Sequence, residues 1–110
     1  MSINTFWTCL EGTYGIHIPI YVQNIMHIMG YDNPVSFQRI TPAKLKEIEG
    51  FMRSINFSPP IDARSEDYFG IFFAHERENF SFTPGDKDLI LGLVDRVKEY
   101  SHVFKKLLNY

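Results

Sequence analysis

Residues Ile18 to Arg53, IPIYVQNIMHIMGYDNPVSFQRITPAKLKEIEGFMR, decide how this chain folds. Pro19 suits a first helical turn, where its missing N–H costs nothing, and Tyr21, Val22, Ile25, Ile28 and Met29 recur at helical spacing up to Gly30. The spacing predicts a helix over 19–29, ended by a glycine free to turn left-handed. Asp32-Asn33-Pro34 is turn chemistry, and Val35, Phe37 and Ile40 suit a short helical turn that plugs a core. Thr41-Pro42 then supplies a cap and an N1 proline for a helix over 42–55, with Leu45, Ile48, Met52 and Ile55 on its apolar face.

Working outward, Ile3, Phe6, Trp7 and Leu10 predict a short aromatic first helix, stopped by Gly12 and Gly15. Downstream, Ser58-Pro59-Pro60 breaks the pattern before the run Tyr68-Phe69-Gly70-Ile71-Phe72-Phe73. A short helix and a strand both fit that run. A helix over 65–75 is preferred, since a lone strand has nothing to pair with. Thr83-Pro84-Gly85-Asp86 repeats the cap logic, with Asp86 placed like the acid of a capping box. Ile90, Leu93, Val94, Val97, Ser101, Phe104 and Leu108 carry one face onward for about 37 Å at 1.5 Å per residue.

That closing helix is longer than a body of about 13 Å radius of gyration needs. Val103, Phe104, Leu107, Leu108 and Tyr110 therefore need cover. Phe6, Trp7 and Leu10 of the first helix are the expected cover, and a second copy of the chain is the alternative.

The chain has 110 residues, 45% of them hydrophobic and 15% aromatic, with 11 basic and 13 acidic side chains and a net charge of -2. Residues 1–110 are read as one domain with a packed core. The charge balance offers no overall field for nucleic acid or an anionic membrane. The single cysteine, Cys9, rules out an internal disulfide and is read as core. Neither a signal peptide pattern nor an apolar run of about 20 residues occurs, so an intracellular, nuclear or cytoplasmic, soluble protein is expected. The sequons at Asn56 and Asn79 then have no use.

No constellation of residues calls for catalysis. His17, His27, His75 and His102 lack metal-ligand spacing, and the glycines form neither GxGxxG nor a P-loop. No cofactor, metal or small-molecule substrate is expected, and the chain is not read as an enzyme. His75-Glu76-Arg77-Glu78 offers an acid and a base without a nucleophile, and reads as a solvated helix end. Arg39, Lys44, Lys46 and Arg53 are interleaved with Glu47 and Glu49, a mixed solvated face more than a nucleic-acid patch. Among the ten phenylalanines, Phe57, Phe72, Phe80 and Phe82 sit near breakers or off the helical period. They are the candidates for a partner-binding surface, against a core role for the rest.

GYDNPVSFQRITPAKLKEIEGF, from Gly30 to Phe51, resembles the middle of a sterile alpha motif (SAM) domain: a glycine-aromatic helix end, a short plug helix and a Thr-capped helix. TPGDKDLILGLVDRV, from Thr83, is similar to the opening of that family's long closing helix, with Gly85, Asp86 and Lys87 at its start. The resemblance implies an all-α, compact five-helix bundle with a long C-terminal helix. It also implies a protein-protein interaction module of a regulatory assembly, acting by self-association or partner recruitment. Such modules join an acidic middle surface to the start of another molecule's closing helix, which points here to Asp62, Glu66 and Asp67 on one side and Lys87 and Arg96 on the other. The segment from Met52 to Phe82 is longer than that family requires. The central string also resembles a helix-hairpin-helix unit, which makes nucleic-acid binding the alternative, although Gly30-Tyr31-Asp32 lacks the second glycine of a phosphate-binding loop.

Overall fold

A computed structural model describes residues 5–108, with side chains for residues 5–100. Six α-helices follow in order: α1 (Thr5–Tyr14), α2 (Ile20–Met29), α3 (Pro34–Phe37), α4 (Pro42–Arg53), α5 (Glu66–Phe73) and α6 (Pro84–Leu108). A 3-10 turn, Arg77–Asn79, lies between the last two, and no strand occurs among the described residues. The chain is all-helical, as the periodicity predicts.

The predicted caps are in place. The Ser36 amide donates to the Asn33 side chain at 3.0 Å and the Lys44 amide to the Thr41 hydroxyl at 3.2 Å. Gly30 closes α2 with φ +80°, its N–H bonded to the His27 carbonyl, a conformation in which a Cβ is disfavoured. The Asp86 amide donates to the Thr83 hydroxyl at 3.2 Å and so starts α6. Asp86 itself does not complete a capping box, because its carboxylate accepts the Tyr21 hydroxyl from α2.

Several boundaries differ from expectation. Pro19 is the residue before α2 instead of its first turn, and α1 runs through Gly12 to end at Gly15, where φ is +64°. α4 stops at Arg53, since the Ser54 backbone turns extended, and this leaves Ile55 98% exposed and off the apolar face. Cys9 is exposed, because the buried face of α1 is Trp7 and Leu10.

Ile25, Phe37, Leu45, Ile48, Met52, Val94 and Val97 are all buried in one cluster, as expected from their spacing. α2 packs on α5, α3 on α6, and the 3-10 turn on α4 and α5. Phe80 and Phe82 join this core at 0% and 1% exposure, and Phe57 at 8%. Three of the four aromatics expected at a partner surface are therefore interior, placed there by backbone outside any helix, which no helical period reveals. The side chains of Val103, Phe104, Leu107, Leu108 and Tyr110 lie outside the described residues. Within them, Phe6 and Trp7 turn edge-on to Phe37 of α3, with ring centroids 5.4 and 5.8 Å away.

Candidate functional site

The long connection between α4 and α6 is held by side chains that reach back to the chain's own carbonyls. One terminal nitrogen of Arg77 lies 3.2, 2.6 and 2.6 Å from the carbonyl oxygens of Met52, Ser54 and Phe57. Its guanidinium carbon sits 5.0 Å from the Phe69 ring centroid and 5.8 Å from that of Phe57. This side chain thus satisfies the unpaired carbonyls at the end of α4 and stacks on the aromatic layer. Arg53 makes the converse tie, donating to the Phe80 carbonyl at 2.7 Å. His75, Glu76 and Glu78 are exposed as a solvated segment is, but Arg77 is the structural anchor of that segment.

A second anchor lies at the start of α6. Glu49, 5% exposed, accepts the Phe82 amide at 2.8 Å and the Lys87 ammonium at 3.3 Å. The charge interleaving on α4 predicts a solvated glutamate. Its register, four residues after Leu45 and three before Met52, instead places it on the buried face. Burial, together with the hydrogen bond to Asp86 and that carboxylate's charge, raises the pKa of Tyr21 well above the ordinary phenol value.

The sequence-predicted interface residues fall into two groups with no ion pair between them among the described residues. Asp62 is exposed in the turn before α5. Glu66 is paired with Arg64, and the backbone carbonyl of Asp67 accepts the Asn24 side chain of α2 at 2.7 Å. On the basic side, Lys87 is engaged with Glu49. Arg96 is exposed, with its guanidinium 5.2 Å from the Tyr14 ring. It borders an open cleft of about 450 Å³ between the end of α1 and α6, lined by Tyr14, Leu89, Gly92 and Leu93 among others.

The helix-hairpin-helix alternative needs free loop amides. Here the Gly30 and Tyr31 amides bond to the His27 and Met26 carbonyls, and the Ser36 and Phe37 amides bond to Asn33. These donors are consumed inside the protein.

The surface feature that periodicity did not reveal is on α5. An unbroken helix would place Tyr68, Phe69, Phe72 and Phe73 on one inward face. Gly70 breaks it with φ +73° and ψ 172°, in a region essentially reserved for glycine. A Cβ there would meet the Tyr21 ring at 3.6 Å, an ordinary contact, so the backbone angle and not space demands the glycine. Beyond the break Phe73 is half-buried, while Ile71 and Phe72 are 78% and 71% exposed. Ile20, 50% exposed, precedes Tyr21, whose ring a side chain at position 70 would meet. Phe72 is thus the one aromatic expected at a partner surface that the structure does expose.

Compared with known proteins, the chain matches no family model, no curated protein sequence and no solved structure. None of the described helices is long and apolar enough to cross a membrane, and no described group of His, Cys, Asp or Glu is arranged to hold a metal.

Proposed function

We propose that this chain is a protein-protein interaction module with a SAM-like helical arrangement, joining its parent protein to itself or to another protein within a nuclear or cytoplasmic assembly. The order of a glycine-ended helix, a plug helix carrying Phe37, a Thr-capped α4 and a long α6 supports the SAM-like reading. The observation that carries the function is the exposed Ile71–Phe72 pair, displayed by a glycine kink where a regular helix would have buried Phe72. An exposed aromatic beside a second large apolar side chain fits the anchor of a contact surface, where a few such residues supply much of the affinity.

Asp62, Glu66 and Asp67 precede this pair closely in the chain and are proposed as its charged rim. Arg96 remains available as a basic contact elsewhere on the surface. Lys87 is a weaker candidate than its position in the sequence suggests, because its charge balances the buried Glu49. Rim charges of this kind steer association and make it weaken with salt, while the apolar anchors set the residual affinity.

The test is the double variant Ile71→Ser with Phe72→Ser, compared with wild type by cross-linking in cells and by solution mass. Loss of the wild-type complexes with an unchanged unfolding temperature supports the reading. Complexes that persist in the folded double variant refute it.

A further inference from the structure

We propose that the Ile71–Phe72 face of one molecule takes the carboxy-terminal end of α6, residues Val103 to Leu108, of a second copy. The inference rests on the interaction-module reading and names the occupant of that surface.

Charge is the first argument. Around the apolar pair, the segment 62–78 carries Asp62, Glu66, Asp67, Glu76 and Glu78 against Arg64 and Arg77. Arg64 is paired with Glu66, and the Arg77 guanidinium is occupied by three carbonyls and two rings. The segment that carries the pair is therefore net acidic. The segment 101–110, SHVFKKLLNY, holds Lys105 and Lys106 and no acid, and interleaves them with Val103, Phe104, Leu107 and Leu108. One chain thus carries an apolar pair within an acidic segment, and a basic apolar segment.

Geometry is the second argument. Among the described side chains of α6, Val97 is the last buried one, and Lys98, Glu99 and Tyr100 are exposed. The helical backbone continues to Leu108, a further stretch of about 16 Å at 1.5 Å per residue. The molecule has a longest dimension of 45 Å and a radius of gyration of 14.5 Å, above the roughly 13 Å of a compact chain this long. Of the aromatics of α1, Phe6 and Trp7 are turned to Phe37, while Tyr14 meets Tyr100 of α6 with ring centroids 6.4 Å apart. Two different patches meeting in this way make a heterologous contact, which extends head to tail or closes into a ring.

The experiment uses the full chain. Sedimentation velocity across a hundredfold concentration range should show wild-type mass rising above the monomer. Phe72→Asp and Phe104→Asp should each weaken self-association at least about tenfold, as expected for loss of an aromatic anchor. An equimolar mixture of the two should recover dimers, because each supplies the half that the other lacks. Far-UV circular dichroism and the emission of the sole tryptophan, Trp7, check folding. Where Phe104→Asp unfolds the chain, Lys105→Glu with Lys106→Glu replaces it, and its association should return on mixing with Asp67→Lys, Glu76→Lys protein. Wild type that stays monomeric overturns the proposal, as does a folded tail variant that self-associates normally or a mixture that stays monomeric. If wild type is monomeric while Ile71→Ser, Phe72→Ser still loses a different protein partner, the interaction-module reading stands and only the occupant is wrong.

Discussion

α4 and the segment from Ser54 to Thr83 are neighbours in the chain but are held together by different means. α4 is local: Thr41 caps it, Pro42 opens it, and Leu45, Ile48 and Met52 fall on one face at helical spacing. Outside α5 and the 3-10 turn the following segment has no regular structure, and its cohesion comes from distance. Arg77 reaches carbonyls 20 to 25 positions earlier, Arg53 reaches the Phe80 carbonyl, and Glu49 holds the Phe82 amide. Its aromatics close the layer: Phe80 meets Phe69, Phe73 and Phe82 with centroids 6.1, 6.0 and 5.4 Å apart. A helix can be anticipated from its own residues, whereas a stapled connection depends on partners far along the chain.

The comparison can be broken by substitution. Phe80→Ala removes a fully buried ring at the centre of the aromatic layer and should cost about 3–5 kcal/mol, as much as Ile48→Ala in the regular part or more. Chemical denaturation of the two variants decides the matter. A cost below about 1 kcal/mol for Phe80→Ala would mean that the connection is a surface loop and not part of the core.

Arg77→Met keeps much of the stem but removes the donor to three carbonyls, and should cost about 2 kcal/mol. Hydrogen exchange should then quicken in residues 54–61 while the α4 amides stay protected. Uniform quickening in both regions would show that Arg77 acts globally and not as a local staple.

The smallest expected effect belongs to a cap. Thr83→Ala should cost about 1 kcal/mol by leaving the Asp86 amide without its acceptor, whereas Thr83→Asp retains an oxygen and should cost much less. Equal losses on thermal unfolding would contradict the cap.

These differences explain what the sequence disclosed. Gly30, Thr41 and Thr83 mark helix ends because capping chemistry lies within a few residues of the end it serves. The buried set of Ile25, Leu45, Ile48, Val94 and Val97 follows from the 3.6-residue period. Phe80 and Phe82 escape the helical period because they enter the core from backbone outside any helix, and the anchoring role of Arg77 leaves no sequence signal because its acceptors are carbonyls, which every residue carries. Glu49 lay in register with Leu45 and Met52, and that register outranked its charge. On α5, a glycine inside an aromatic run signalled an interruption. Only its angles show that the break turns Phe72 outward while leaving Phe73 half-buried.

The most direct test sets a displayed phenylalanine against an interior one: Phe72→Ser and Phe80→Ser, each measured for unfolding temperature and for solution mass over a concentration series. Phe72 is 71% exposed and Phe80 0%. Phe72→Ser should leave the unfolding temperature nearly unchanged and abolish association, while Phe80→Ser should lower that temperature steeply. A Phe72→Ser protein that unfolds as readily as Phe80→Ser, or that associates like wild type, would contradict the account.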